Sequence, residues 1–455
     1  MAKEINSDVT VIGAGLTGLV TAFYLIKAGK KVKLIEKSDR SGGVINSFEE
    51  NGFIYEAGPN SGVLSTVEAV ELFEDLKEFC TLETANKESK KRLIWKNSEW
   101  QALPSGPISA ITTPLFDFSD KLNILCEPFR KKGNNPDESV ADLVKRRLGK
   151  SFLDYAVDPF VSGIYAGNPN NIVTKYALPK LYTLEQEFGS FIKGSILKKK
   201  DKSERAKKVT REVFSAENGL KKLIDALNQA IGKENILLNC SDIRINKVEN
   251  NYKTSFKINN EEFSVNSEKI VSSVGGYALP ELLPFIPEDD IKPISRLEYA
   301  KVVQVILGFK TWRGIPLDAF GGLVPSVENR KILGVLFSSS IFKNRAPENG
   351  ALLSIFMGGM RNPDAINLSD EEITQIVKSE ILDMMKLNNF NPDLIKIFRY
   401  HKAIPQYEIS SGERFAKISE LENNYNGLIL AGNIRDGIGM ADRIKQAKSI
   451  ADSIK

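Results

Sequence analysis

Histidine is almost missing from this 455-residue chain: His401 is the only one. A single imidazole leaves one candidate base for Ser–His–Asp chemistry and excludes metal sites built from several histidines. His401 falls in the strand-like run Phe398–His401, a setting that reads as structural rather than catalytic. Cysteine is nearly as scarce. Cys80, Cys126 and Cys240 are far apart, form no CxxC pair or zinc-ligand spacing, and make no even-numbered disulfide framework. Scattered thiols of this kind fit a reducing compartment and serve as small buried apolar residues. No metal is expected. Charge of one sign is also lacking: 62 Lys and Arg face 58 Asp and Glu, a net +4 that advertises no nucleic-acid partner. Long apolar runs are absent as well. Val302–Phe309 is interrupted by Gln304 and Ala351–Met360 by Ser354, far short of the roughly 20 residues that span a bilayer. Only Met1–Asp8 precede the first strand-like run, which leaves no room for a presequence and gives a cytoplasmic expectation.

What is present is an ordinary globular composition, 42% hydrophobic and 26% charged, long enough for one large or about two to three ordinary domains. The chain opens as a βαβ unit. Val9–Ile12 is a β-branched run, and Gly13-Ala14-Gly15-Leu16-Thr17-Gly18 turns into a helical pattern that stops near Gly29. A second strand, Lys31–Ile35, ends at Glu36. A GxGxxG run alone is a weak signal. Here it follows a strand, opens a helix and precedes an acidic residue placed to accept from a ribose hydroxyl. The glycines let backbone N–H groups at the helix N-terminus approach a pyrophosphate.

Further glycines narrow the ligand. Arg40 and the pair Gly42-Gly43 follow Glu36, then come Glu56-Ala57-Gly58-Pro59 and, near the C-terminus, Gly432-Asn433 and Gly437-Ile438-Gly439-Met440. A nicotinamide enzyme does not need the second glycine pair. Flavoproteins of the glutathione-reductase type commonly carry it, because FAD lies extended across the domain. A returning C-terminal helix can also present N–H groups to the flavin pyrimidine oxygen. Non-covalently held FAD is therefore the expected cofactor. Elsewhere, helices are expected at Gly219–Ile231, Glu371–Met385 and Asp442–Ile454, with helical, proline-punctuated chain from Pro104 to about Lys208. The charged stretch Lys198–Arg211 reads as a solvated helix end or linker.

Together these blocks resemble the oxygen-dependent protoporphyrinogen oxidase family, flavoenzymes of haem biosynthesis related to monoamine oxidases and phytoene desaturases. The resemblance runs through Glu56–Ser61, Lys91-Arg92-Leu93-Ile94-Trp95, Glu127–Arg130, Asp158–Pro169, Gly189-Ser190, Phe320–Pro325 and Ala403–Tyr407. It implies an α/β fold: a Rossmann-like FAD-binding domain of glutathione-reductase type (1–56, 210–276 and 425–455), a mixed-sheet substrate domain (57–92 and 277–424) and a helical, membrane-facing subdomain (93–209). It implies oxidation of protoporphyrinogen IX to protoporphyrin IX, with hydride passing to flavin N5 and oxygen as final acceptor. Arg92 falls at the family's propionate anchor, and a guanidinium suits a carboxylate. Phe320, Leu323, Phe356 and Met357 match cleft-lining positions, and Gly163 and Gly167 match places where backbone nears the macrocycle. Cofactor contacts extend to Lys37, Val44, Asn60, Ser61 and Ile243. No catalytic acid or base is implied, since FAD carries the redox step.

Two departures stand out. Gly412-Glu413 replaces the family's usual Gly-His pair, and Gly62 stands where relatives tend to carry a large residue. Coproporphyrinogen III, with four propionates, is the rival substrate. Amine oxidation, carotenoid desaturation and passive FAD binding are further alternatives. The apolar residues between Leu103 and Phe129 suit a wall of the substrate channel and the membrane-facing part. The resemblance leaves room for peripheral contact with the inner membrane face, a homodimer and hand-over of product to a chelatase.

Overall fold

The computed structural model describes residues 3–197 and 203–454. The β-branched run at Val9–Ile12 is the end of a longer strand, Lys3–Ile12. It lies parallel to Val32–Ile35 on one side and to Glu261–Ser272 on the other. Ile236–Leu237 and Leu428–Leu430 extend this parallel layer at its two edges. The first half of Glu261–Ser272 instead pairs antiparallel with Asn251–Ile258, which pairs with Ser241–Val248. Such a layer is buried on both faces, so its strands read as nearly continuous apolar runs. Helices Leu16–Lys27, Lys221–Ile231 and Met440–Ile454 cover one face through Leu19, Leu227 and Ala447. Leu279, Ile294 and Ile418, from the helices Leu279–Leu282, Glu288–Ser295 and Ser411–Asn424, cover the other.

The second layer is a mixed sheet in the order 394–405, 299–309, 351–358, 332–336, 321–323, 93–96, 99–102. Helix Asp370–Met384, closed at its start by a Ser369/Glu372 capping box, packs Ile373, Val377 and Ile381 onto its outer face. The helical segment runs from Pro107 to Leu197 and is centred on buried charge. Arg147 is fully buried against Glu127, and Arg146 bridges Glu138 and Glu185.

Three expected domain boundaries shift. The hairpin Leu93–Lys96/Glu99–Ala102, expected in the helical part, closes the mixed sheet beside Gly321–Leu323. Leu64, Ala69, Leu72, Phe73 and Cys80, expected with the substrate domain, pack into the core of the parallel layer. So do residues 279–297 and 411–424, on its opposite face. Each segment buries its apolar side on the nearest uncovered sheet face, and nearness in space does not follow blocks of sequence. Residues 198–202 of the charged stretch lie outside the described residues. Beyond them, Arg205 pairs with Glu68 and Glu71 and Lys208 with Glu74, which ties the stretch to helix Val67–Asp75. Among the described residues no helix is long and apolar enough to cross a membrane.

Candidate active site

The glycine-rich turn is built almost wholly from backbone. A Cβ on Gly18 would stand 1.9 Å from the Gly13 carbonyl oxygen, so the third glycine is required by the close approach of helix to strand. Where a Cβ on Gly15 would stand, no atom lies within 4 Å. That open space is at the helix N-terminus, where Leu16 and Thr17 are buried. The second glycine pair folds back onto the first: Gly42 donates to the Ala14 carbonyl at 2.7 Å, and a Cβ on Gly43 would be 3.3 Å from Gly15 Cα. The Glu36 carboxylate accepts from Ala14 N–H at 2.7 Å and Ser38 N–H at 2.9 Å. The exposed Arg40 guanidinium donates to the carbonyls of Ser41, Gly43 and Ile45. Lys37 and Val44 are exposed on the same loop, and Ile243 is half-buried on the strand that starts at Ser241.

Gly58–Ser61 joins this turn to the mixed sheet. Gly58 N–H donates to Gln304 Oε1 at 3.0 Å, and Gln304 Nε2 returns a bond to the Glu56 carbonyl at 3.0 Å. Asn60 donates to the Gly58 carbonyl and accepts from Ser354 Oγ at 2.8 Å. The Tyr400 hydroxyl reaches Gln304 as well, at 3.4 Å. Pro59 and Ser61 are half-buried between the two layers. Beneath them the Glu56 carboxylate accepts from Ser47 Oγ at 2.5 Å and Leu220 N–H at 3.0 Å, and burial pushes its pKa up to about 7. Gly62 is explained by the same packing: a Cβ there would be 2.4 Å from the buried Phe214 ring, which fills the space of a larger residue.

The mixed sheet and its neighbours carry the expected cleft residues, with two corrections, Met357 and Gly167. Arg92 stacks on Phe320, its guanidinium carbon 3.9 Å from the ring centroid, and donates to the carbonyls of Ser89, Lys90 and Lys91. Its neighbour Lys91 is neutralised by Asp318. Arg92 is half-buried, has no carboxylate within ion-pair distance among the described residues, and burial alone lowers its pKa. Leu323 packs toward exposed Gly163, where a Cβ would meet Leu323 Cδ2 at 2.7 Å. Phe356 is half-buried on the same face as Ser354. Met357 is not a cleft residue. It is 1% exposed and packs on the outer face with Ile373 and Ile381, because adjacent strand residues point to opposite sides. Gly167 is also buried, and packing against Ile172 and Gln406 accounts for its missing side chain.

Contacts between separate segments complete the site. Asp158 accepts from Ser326 N–H and from Arg361 Nη2, both at 2.7 Å, while Arg361 Nη1 holds the Val324 carbonyl at 3.0 Å. This pair pins helix Asp158–Tyr165 to the strand that bears Leu323. The C-terminal turn holds Gly432, Asn433, Ile438 and Gly439, with Met440 opening the last helix. Arg414, Arg443 and Tyr407 brace it from below. Glu413 is exposed, and Gly412 lies under the Tyr176 hydroxyl, so the Gly-Glu departure sits at a packing contact. His401 is exposed on the strand Leu394–Pro405. Asp158 opens one of the family blocks, but no sequence signal marked Gln304, Ser354, Arg361 or the two buried arginines, since each gains its role from its partners in the fold.

The residues fit a flavin dinucleotide. The space above Gly15 would admit a pyrophosphate, and Arg40 and Arg92 carry no carboxylate partner among the described residues. The family model for flavin containing amine oxidoreductases matches residues 16–454. Protoporphyrinogen oxidase 2, chloroplastic/mitochondrial, of Arabidopsis thaliana is 30% identical, over 98% of this chain and 93% of its own. Coproporphyrinogen III oxidase of Bacillus subtilis is 24% identical, over 99% and 98%. A crystal structure from Exiguobacterium sp. 255-15, assigned provisionally as a protoporphyrinogen oxidase, superposes with a TM-score of 0.81 at 22% identity, over 100% of this chain and 99% of that one. With a family model matched along nearly its whole length and a glycine turn left open at a helix N-terminus, this chain belongs to the flavin-containing amine oxidoreductases, as an FAD-dependent oxidoreductase.

Proposed function

We propose that the protein oxidises a porphyrinogen, protoporphyrinogen IX to protoporphyrin IX, with oxygen as final acceptor. The observation that carries this reading is Arg92: a half-buried guanidinium, stacked on Phe320 and lacking a carboxylate among the described residues. Such a group is best completed by a ligand carboxylate held through a bidentate pair. Phe320, Leu323 and Phe356 add an apolar wall that would orient a large macrocycle and exclude water. Bound FAD supplies the two-electron acceptor. The parallel-sheet half, in the manner of glutathione reductase, would hold it through the Gly13–Gly18 turn, Glu36, Arg40, Gly42-Gly43, Gly58–Ser61 and the C-terminal turn. The mixed sheet would hold the substrate. The named cleft side chains are apolar or cationic, so they bind and orient rather than move protons.

The finer reading includes the membrane. Ile108, Ile111, Phe118, Leu125, Phe129 and Ile196 are each more than two-thirds exposed on the helical segment, and Lys193 lies 6.0 Å from the Phe129 ring centroid. That apolar surface with a basic neighbour supports peripheral docking on lipid, testable by vesicle flotation of wild type against Phe118→Ser/Phe129→Ser. The deciding experiment for the reaction follows porphyrin fluorescence when purified holoprotein meets protoporphyrinogen IX or coproporphyrinogen III. A higher kcat/KM on the two-propionate ring is expected. Preference for coproporphyrinogen III would move the assignment to the Bacillus relative's substrate, and oxidation of neither would overturn it.

A further inference from the structure

The C-terminal turn rests on two guanidiniums that form no ion pair among the described residues. Arg443, on helix Met440–Ile454, donates through Nη1 to the Gly432 carbonyl and to Gln446 Oε1. Its Nη2 donates to the carbonyls of Arg435 and Asp436, each at 2.8 Å. Arg414, on helix Ser411–Asn424, donates through Nε to the Ile434 carbonyl at 3.0 Å. Its guanidinium also lies 4.9 Å from the Phe415 ring centroid and 5.6 Å from that of Tyr407. The Tyr407 hydroxyl accepts from Gly437 N–H at 3.0 Å. The turn is thus gripped by its carbonyl oxygens.

The grip is unusual in its charge. Arg414 is 1% exposed and Arg443 7%, yet among the described residues neither has an ion-pair partner. The contrast lies within the same molecule. Arg435, on the same turn, pairs with Glu422, and buried Arg147 pairs with Glu127. Glu408 near Arg414, and Asp442 and Asp436 near Arg443, act on the guanidiniums only through space: Asp442 caps Gly439 N–H, and Asp436 accepts from Gln446 Nε2 and faces Arg435. Carbonyl dipoles balance a buried guanidinium only in part, and a buried charge without a counter-charge is costly. Burial lowers the pKa of both arginines, as that cost requires. Two unit charges held beneath one turn favour added negative charge on whatever the turn faces.

We propose that Arg414 and Arg443 are positioning residues that bias bound FAD toward its reduced form. Reduction by two electrons with uptake of one proton adds one negative charge to the flavin, and the two guanidiniums, held by carbonyls rather than by ion pairs, stabilise that charge while they hold the turn's shape. The proposal rests on the assignment of the Gly432–Met440 turn to the flavin.

The test uses the holoprotein and reads redox-dependent affinity. FAD dissociation constants are measured for the oxidised and dithionite-reduced cofactor in wild type, Arg443→Met, Arg443→Lys and Arg414→Met. The Met variants should raise the ratio of the reduced to the oxidised constant about tenfold, a two-electron midpoint potential lower by ~30 mV. Arg443→Lys should restore most of that ratio, because it keeps the charge. Equal weakening of both redox states, or no rescue by Lys, would reduce the arginines to struts and overturn the proposal. A second measurement needs no variant: the midpoint potential of wild-type bound FAD should lie above that of free FAD, and a value at or below it would refute the bias. A wild-type protein that takes up FAD in neither redox state would instead remove the turn's assignment, a result distinct from an unchanged ratio.

Discussion

The proposed dinucleotide cradle and the proposed substrate cleft are held by different kinds of atom. The cradle is made by backbone: Gly18 against the Gly13 carbonyl, Gly42 on the Ala14 carbonyl, Glu36 on two N–H groups. The cleft is made by side chains from distant segments, such as Arg92 on Phe320, Gly163 under Leu323 and Asp158 on Arg361. Backbone geometry tolerates few residue types, so the cradle shows in the sequence as a spaced motif. Side-chain contacts tolerate many, so the cleft leaves little trace. The cradle should therefore fail abruptly under substitution and the cleft by degrees.

The most complete loss, of stability and of FAD together, is expected at Gly18. Gly18→Ala forces a methyl onto the Gly13 carbonyl, 1.9 Å away, and should cost about 3 kcal/mol of stability along with FAD retention. Gly15→Ala adds the same methyl into open space, so the apoprotein should melt like wild type while FAD is lost on desalting. Thermal unfolding with and without FAD separates the two, and equal melting points for both apo variants would erase the distinction between a packing glycine and a ligand glycine.

Next come the adjacent residues Phe356 and Met357. Met357→Ala opens the outer core and should destabilise by ~2–5 kcal/mol with KM intact. Phe356→Ala should raise KM and cost less stability. Denaturant unfolding beside steady-state kinetics tests the pair, and a reversed pattern would place Met357 in the cleft after all.

Glu56 joins the two regions and should make them pH-sensitive. Its folded pKa of about 7 stands above the ordinary 4.5, so the folded protein binds the extra proton between those values. That stability is fully present below the unfolded pKa and lost as pH rises through the folded one. The span corresponds to ~3 kcal/mol. Glu56→Gln keeps an acceptor for Leu220 N–H and should flatten the fall in stability between about pH 5 and about pH 8. An unchanged slope in the variant would assign the pH dependence elsewhere.

Arg92 carries the smallest predicted loss. Arg92→Ala removes a charge-assisted contact worth roughly 1.5–3 kcal/mol, about a 10- to 150-fold drop in kcat/KM. The loss should fall mainly on KM, with FAD still bound. Arg92→Lys should recover part of it. Unchanged kcat/KM in Arg92→Ala would make Arg92 a surface cation stacked on Phe320 and nothing more.

By itself the sequence determined the βαβ opening, the dinucleotide cradle and the returning C-terminal turn. Each depends on local backbone geometry, and the glycines at 13, 15, 18, 42, 43 and 432 record it residue by residue. Family blocks also marked Arg92, although its own neighbours Lys90 and Lys91 read as plain surface charge. Only the tertiary structure decided that Met357 turns away from Phe356, because the pleat and the helix Asp370–Met384 set which face is outward. It also decided that Leu64–Cys80 pack on the parallel layer, that Gln304 and Ser354 join the halves, and that Arg414 and Arg443 lie buried with no ion-pair partner among the described residues. Those facts arise from register and burial, which local sequence does not set, since an arginine or a glutamine has the same letter whether it faces water or a turn.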